Sequence, residues 1–231
     1  MMQAIRLHPP GGLGGLVDEQ IETPRPGAGE ALVRVHAAAI TRDELDWPVD
    51  RLPAILSYEL SGVVAAVAPD VDGVTVGEPV YALSGFDRDG AAAEYTVVPA
   101  AFLAPKPRTL DHVESAAIPL AALSAWQGLF THGHLAEGQR VLVHGAAGGV
   151  GGFAVQLAHR CGAQVVGTAS TGNLDTARRP NREQLVELAG LADRGDLRPT
   201  IDQVFPLADA RKAFERSLGD HRGGKIVLRV I

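Results

Sequence analysis

One glycine-rich stretch constrains the fold of this chain more than any other feature. Residues 141–170, VLVHGAAGGVGGFAVQLAHRCGAQVVGTAS, place an apolar run, a glycine turn, an amphipathic run and a second β-rich run in succession. This order predicts a strand, a helix over 150–160 and a second, parallel strand, because parallel strands need a helical crossover. Its most apolar part, 141–158, contains five glycines with His144 and Gln156, so it is not a membrane span.

The glycine turn has the composition of a phosphate-binding loop. Its core consists of Ala146, Ala147, Gly148, Gly149, Val150 and Gly151. Small residues let the backbone approach a pyrophosphate, and the free N–H groups at the helix start point at it. We expect Gly148 to lie under the pyrophosphate and Gly151 to let the helix pack on the strand. A turn that serves packing alone is the alternative.

The end of the second strand favours NADPH over NADH. A carboxylate at this point would hold the ribose 2′-hydroxyl of NAD, and the sequence GTAS has none. We expect Thr168 and Ser170 to donate to a 2′-phosphate, with Arg178 or Arg179 adding positive charge. An ordinary polar loop is the alternative interpretation.

The first hundred residues predict a compact, barrel-like β region. The runs 31–40, 60–69 and 91–100 are β-rich, and turn clusters rich in Gly, Pro and Asp separate them. Asp111 is expected to cap one helix and Pro119 to open a second. After residue 170, an amphipathic helix over 182–195 precedes a strand IDQVFPL, a helix ADARKAFERSL and a final strand GKIVLRVI.

Composition narrows the classes of function. The 231 residues are 46% hydrophobic and 21% charged, which is enough for a sizeable core. The net charge of −6 disfavours nucleic acid and anionic membranes as partners. Cys161 is the only cysteine, so disulfides and cysteine-based zinc sites cannot form, which favours a cytoplasmic protein. The N-terminus lacks the pattern of a signal peptide.

These stretches together resemble the quinone oxidoreductase-like branch of the medium-chain dehydrogenase/reductase superfamily. The matching segments follow the family order: PAILSYELSGVVAAVAPDVDGVTVGEPVYAL, AAEYTVVPAAFLAPKP, ESAAIPLAALSAWQGLF, VLVHGAAGGVGGFAVQLA and GKIVL. The resemblance implies a mixed α/β fold. A GroES-like β-barrel domain covers 1–120 and 183–231, and a Rossmann-type parallel βαβ unit covers 121–182. It also implies reduction of quinones or α,β-unsaturated carbonyls by NADPH without zinc.

The chain departs from the family after GTAS, where the Rossmann domain is abbreviated. Fewer strands leave fewer contacts for the cofactor, so the reductase activity is expected to be impaired. Two other functions stay open: a non-redox cyclase, isomerase or lyase that reuses the cleft for a small molecule, and a catalytically inactive binding protein. Uncovered sheet also predicts association into a homodimer or a larger assembly.

The resemblance assigns roles to individual residues. Ser124 lies where the family has a hydroxyl beside the nicotinamide, and Thr41 and Asp43 fall in the family's Asn-x-x-Asp region near the substrate. Tyr58 is a candidate acid for an enolate oxygen. Packing or helix capping is the alternative for each. The zinc branch has a histidine before its glutamate, whereas Tyr58 precedes Glu59, and no cysteine occurs before Cys161, so no metal site is expected.

Overall fold

A computed structural model of the protein describes residues 1–45, 47, 51–168, 181–219 and 223–231. Within them the strands are β1 Met2–Leu7, β2 Leu16–Ile21, β3 Glu30–Ile40, β4 Ala54–Ile55, β5 Glu59–Val67, β6 Pro79–Leu83, β7 Tyr95–Pro99, β8 Ala104–Pro105, β9 Arg140–His144, β10 Gln164–Thr168, β11 Ile201–Pro206 and β12 Lys225–Arg229. The α-helices are α1 His112–Ala116, α2 Pro119–Trp126, α3 Gly149–Arg160, α4 Arg182–Asp193 and α5 Ala210–Leu218. Ser170, Arg178 and Arg179 lie outside the described residues.

The predicted β region is a sheet organised around β3. One edge of β3 pairs antiparallel with β5, and the other pairs with β12 near its end and with β7 near its start. β6 and β8 extend the sheet beyond β5, while β2, β1 and β4 form a separate antiparallel sheet. The three β-rich runs of the sequence correspond to β3, β5 and β7. This sheet gives the chain its GroES-like part.

The C-terminal segment returns to this β region. β12 pairs antiparallel with β3, and β11 lies parallel beside β12. α5 packs on all three strands, because its apolar residues recur at helical spacing and Ala213 and Phe214 are fully buried. α4 packs on β8 and α2. Residues at the two ends of the sequence therefore share one core.

The glycine-rich stretch forms the predicted parallel unit. β9 and β10 pair in parallel and α3 connects them, with Phe153 and Leu157 of α3 buried. Leu142 and Val166 lie opposite each other on the outer face, 56% and 59% exposed. Among the described residues this sheet has two strands, so the Rossmann-type unit is abbreviated as the sequence predicts.

Both predicted helix starts after the β region are confirmed. Asp111 caps α1 through a capping box with Glu114, and Pro119 occupies the first turn of α2. α2 continues into a π-helical segment, Gln127–His132. In the part of the chain that the structure describes, no helix is long and apolar enough to cross a membrane.

Candidate active site

Four neighbouring strands end or begin at one place, and the candidate site lies there. The register pairs Ile226 of β12 with Ile40 of β3, and it aligns Ala39, Glu59 and Leu83 across β3, β5 and β6. Because the strands are antiparallel, the residues that follow β3 and β6 meet those that start β5 and β12. Polar and aromatic side chains distant in sequence thus converge at this edge.

A buried ion pair joins this edge to the glycine turn. Lys225 Nζ contacts Glu59 Oε2, and the two side chains are 8% and 0% exposed. Glu59 Oε1 accepts from Leu120 N at 2.9 Å, which fixes the start of α2. A Cβ built on Gly149 would lie 3.3 Å from Lys225 Cδ, so the lysine stem passes along the turn. One ion pair therefore connects β5, β12, α2 and α3.

Within the turn, two glycines have different surroundings. A side chain on Gly151 would overlap the carbonyl oxygen of Gly145, so this glycine is required for the helix to pack on the turn. A Cβ on Gly148 would meet a single neighbouring atom, the Gly145 oxygen at 3.2 Å. Gly145 itself has φ +67°, a backbone conformation that favours glycine. A side chain or a ligand atom therefore has room next to the Gly148 Cα but not next to the Gly151 Cα.

The start of α3 presents backbone N–H groups to this space. Gly152 N donates to Gly148 O at 2.8 Å, the first helical bond of α3. The N–H groups of Gly149, Val150 and Gly151 precede it, and the first N–H groups of an α-helix have no partner within the helix. The Gly148 N–H donates to Gly145 O and is already used. The arrangement suits an anion, since the helix dipole adds to these donors.

Of the remaining predicted cofactor residues, Ala146 and Thr168 lie at the turn and Ser124 lies on α2. Ala146 N donates to Thr168 O at 2.8 Å, which joins the turn to the end of β10. The Thr168 hydroxyl lies 3.0 Å from His144 Nδ1. Ser124 is buried on α2, and its hydroxyl donates to Leu120 O at 2.7 Å. The roles proposed for Thr168 and Ser124 stay predictions, and both hydroxyls already have a partner.

Sequence reasoning missed the carboxyl group at the centre of the site. Glu44 is 1% exposed, and its two oxygens accept from Thr41 N at 2.9 Å and Ser57 N at 2.8 Å. Burial raises the pKa of Glu44 to about 8, against the effect of these two hydrogen bonds. The signal was available, because an Asn-x-x-Asp spacing that begins at Thr41 reaches Glu44. Asp43 is half-buried beside it, and its role stays a prediction.

The two residues held by Glu44 carry buried hydroxyls without a hydrogen bond. Thr41 Oγ1 and Ser57 Oγ are inaccessible and have no partner among the described atoms. Ser57 also has φ +67°, which an L-residue with a side chain rarely adopts. Strained residues and unsatisfied polar groups occur most often at functional sites. They persist there only where the surrounding structure holds them in place. Here the Glu44 carboxyl supplies that stabilisation.

Tyr58 lies in a cluster of three aromatic rings beside these groups, and we take this cluster as the wall of the candidate cleft. Its ring is 3% exposed and lies 5.7 Å from the ring of Trp47 and 5.1 Å from that of Phe86. Burial raises the pKa of Tyr58 to about 12, and the Glu44 charge adds to the effect. The phenol therefore keeps its proton at neutral pH and is a donor.

The buried carboxyl predicts a characteristic pH dependence of stability. The pKa of Glu44 is about 8 in the folded protein against an ordinary value of 4.5, so the folded state holds a proton that the unfolded state releases between these values. The free energy of unfolding should fall across this window by about 3–5 kcal/mol from this group. Replacing Glu44 by glutamine should remove that dependence, because the amide does not titrate.

Urea unfolding at pH 5, 7 and 9 measures how the free energy of unfolding depends on pH in the wild type and in the variant. At pH 5 the Glu44→Gln variant should be less stable than the wild type, because the amide NH2 turns a donor towards one of the two N–H groups, whereas the hydroxyl oxygen of the neutral carboxyl can still accept. The difference should narrow or reverse at pH 9. The pKa of His112, which burial lowers to about 4, acts in the opposite direction but identically in both proteins. A constant difference across the three pH values would contradict the prediction.

Metal ligands are not gathered at the site. Cys161 follows α3, and its Sγ donates to Leu135 O, away from Glu59. Among the described residues, no group of three or more His, Cys, Asp or Glu side chains has an arrangement that would hold a metal ion. The donor set at this edge, Glu44, Glu59 and Lys225, includes an ammonium group that already neutralises Glu59.

Comparisons with known proteins identify the family. Residues 27–108 match the model of the alcohol dehydrogenase GroES-like domain, and residues 110–228 match the zinc-binding dehydrogenase model. The chloroplastic NADPH-dependent alkenal/one oxidoreductase of Arabidopsis thaliana is 35% identical over 91% of this chain and 58% of its own length. The chloroplastic quinone-oxidoreductase QR1 of Triphysaria versicolor is 29% identical over 94% of this chain and 71% of its own length.

A solved structure shares the fold. The quinone oxidoreductase from Coxiella burnetii superimposes with a TM-score of 0.90 at 24% identity, over 100% of this chain and 99% of that one. Several curated relatives are much longer, and the chain spans less than half the length of five of them, from 7% to 45%. The chain belongs to the medium-chain dehydrogenase/reductase superfamily, in its quinone oxidoreductase-like branch.

Proposed function

We propose that the protein is an NADPH-dependent reductase of quinones or α,β-unsaturated carbonyls. The observation that carries the proposal is the Glu59–Lys225 ion pair, because it joins the aromatic cleft at Tyr58 to the glycine turn at Gly149. A cofactor whose pyrophosphate is bound at the turn would then lie next to an acceptor bound in the cleft. The names of the relatives, an alkenal/one oxidoreductase and a quinone oxidoreductase, support the same chemistry.

The turn fits the pyrophosphate of a nicotinamide cofactor. The N–H groups of Gly149, Val150 and Gly151 would hold the phosphates, and the open space above Gly148 would admit them. The methylene stem of Lys225 packs beside Gly149 at the start of α3. NADPH is proposed over NADH because the end of β10 carries the Thr168 hydroxyl and no carboxylate. When bound, NADPH supplies the hydride.

The cleft supplies orientation and a proton. The neutral rings around Tyr58 exclude water and align a planar acceptor, and alignment of the reacting groups lowers the barrier. Reduction of a conjugated carbonyl places negative charge on its oxygen. The Tyr58 phenol, protonated at neutral pH, would donate to that oxygen. Thr41 and Asp43, with Glu44, are proposed to shape the wall around this oxygen.

Replacing Tyr58 by phenylalanine tests this role. The ring and its packing against Trp47 and Phe86 remain, so KM for an enone should change little. Loss of the proton donor should lower kcat by about a hundredfold, the lower end of the range for acid–base catalysis. Steady-state oxidation of NADPH with an alkenal measures both constants. An unchanged kcat would remove Tyr58 from the mechanism.

We propose the division into two domains that the resemblance implies. Residues 1–120 and 183–231 would form the substrate domain, supported by the pairing of β12 with β3 and the packing of α5. Residues 121–182 would form the cofactor unit. The two-stranded parallel sheet also supports the alternative, a non-redox enzyme that uses the cleft alone, and NADPH titration separates the two.

Zinc independence and a cytoplasmic location complete the proposal. Tyr58 stands before Glu59 where the zinc branch has a histidine, and the single cysteine lies elsewhere. A chain with one cysteine needs no oxidising compartment. Chelation of metals should leave any reductase activity unchanged.

We also propose association into a homodimer through the outer face of the parallel sheet. Leu142 and Val166 are exposed side by side, and parallel sheets normally have both faces covered. Replacing Leu142 by glutamate places a charge in this face and should yield a monomer. Sedimentation at micromolar concentrations compares the two proteins, and Val76, which is exposed on the β region, offers a control position for the same substitution. A wild-type protein that sediments as a monomer would contradict the proposal.

A further inference from the structure

Three aromatic rings at the candidate site come from three different loops. Trp47 follows β3, Tyr58 precedes β5 and Phe86 follows β6, and these strands are neighbours in the sheet. Trp47 lies nearly parallel to Tyr58, at 26°, and its centroid lies 5.2 Å from that of Phe86, with the two rings at 88°. The rings form one continuous aromatic wall.

The wall is held in place from outside. Ser84 N donates to Tyr58 O at 2.8 Å, which fixes the backbone at Tyr58. Arg51 Nη2 donates to Arg88 O at 2.9 Å and to Phe86 O at 3.5 Å, which anchors the loop that carries Phe86. Tyr58 is buried, whereas Trp47 and Phe86 are partly exposed. Parts of Trp47 and Phe86 are therefore accessible to an incoming molecule.

From this geometry we infer that Trp47 is the specificity-determining residue of the cleft. It selects planar acceptors whose conjugated carbonyl is part of a fused ring system, such as naphthoquinone, over open-chain alkenals. This inference rests on the proposed function, since it names which of the two proposed substrate classes the site prefers. The preference arises from stacking, because a fused ring system makes a larger contact with the indole of Trp47 than the short conjugated segment of an alkenal does.

The selectivity test compares two acceptors and two tryptophan variants. For the wild type, kcat/KM with naphthoquinone should exceed kcat/KM with hexenal by at least about tenfold, the size of one good aromatic contact. Trp47→Leu should lower this ratio by about tenfold. Trp126→Leu is the matched control, because Trp126 packs on Phe130 at 5.1 Å instead of on this wall, and it should leave the ratio unchanged.

A binding measurement keeps the inference separate from catalysis. The chain has two tryptophans, so Trp126→Phe leaves Trp47 as the only indole. Naphthoquinone should quench its fluorescence saturably without NADPH, and hexenal should not compete at equal concentration. If quenching saturates and no NADPH is oxidised with either acceptor, the inference holds and the proposed function fails. A wild-type preference for hexenal, an unchanged ratio in Trp47→Leu, or quenching that does not saturate would overturn the inference.

Discussion

Replacing Gly148 by valine should abolish measurable NADPH binding while leaving the fold intact. The backbone at this position is extended, with φ −79° and ψ 172°, so a β-branched residue fits it. Its one close neighbour is the Gly145 oxygen at 3.2 Å, and the loss of a glycine helix cap adds a cost of about 1 kcal/mol. The branched side chain occupies the space proposed for the pyrophosphate. Calorimetric titration and thermal unfolding measure the two effects.

Two further glycines in the same turn provide controls. Gly151→Ala should be destabilising by about 2–3 kcal/mol, because the new methyl group overlaps the Gly145 carbonyl. Gly152→Ala should keep NADPH binding and gain a few tenths of a kcal/mol or more, since its Cβ meets Ala146 O only at 3.9 Å. If Gly148→Val binds NADPH as the wild type does, the turn serves packing alone.

Breaking the Glu59–Lys225 pair should produce the largest loss of stability. Lys225→Met keeps the apolar stem along Gly149 but leaves the Glu59 carboxylate buried without its partner. An uncompensated buried charge costs about 3–5 kcal/mol. The variant should also bind NADPH more weakly than its remaining folded fraction explains, because Glu59 without its partner leaves a negative charge near the proposed anion site. Urea unfolding measures the loss of stability, and calorimetric titration measures NADPH binding.

A double variant separates the ion pair from the packing. Glu59→Gln combined with Lys225→Met removes both charges, and the glutamine oxygen can still accept from Leu120 N. This variant should recover most of the stability lost in Lys225→Met, because replacing a whole buried ion pair is often neutral. NADPH binding should recover together with the stability, because the unpaired negative charge of Glu59 is gone. Equal instability of the single and double variants would show that the unpaired Glu59 charge is not the cause of the loss in Lys225→Met.

Much of the fold is predictable because its signals are local. The periodic runs gave β3, β5 and β9, and Asp111 and Pro119 fixed two helix starts through short-range capping chemistry. The glycine turn has its own pattern of small residues. β1, β2 and β4 escaped prediction, because a separate sheet made of short strands is specified by long-range pairing.

The candidate site was less predictable than the fold. Lys225 and Glu59 are 166 positions apart, and a buried lysine in the run GKIVLRVI looks like an ordinary strand residue. Glu44 was within reach, since its spacing from Thr41 matches the family pattern. The strain at Ser57 depends on a backbone conformation that the sequence does not show. Tyr58 was a candidate because a phenol can donate a proton to an enolate oxygen.

Titration of the wild-type protein with NADPH directly tests the proposal that the protein is an NADPH-dependent reductase. The turn is present and the parallel sheet of the described residues has two strands, so we expect fewer contacts to the cofactor than a longer sheet would give. If a complete site binds with a Kd of about 1 µM and about 3–4 kcal/mol is lost, the Kd becomes about 0.1–1 mM. We expect saturable binding in this range, tighter for NADPH than for NADH. No binding at millimolar NADPH would contradict it, and the non-redox use of the cleft would then be the better account.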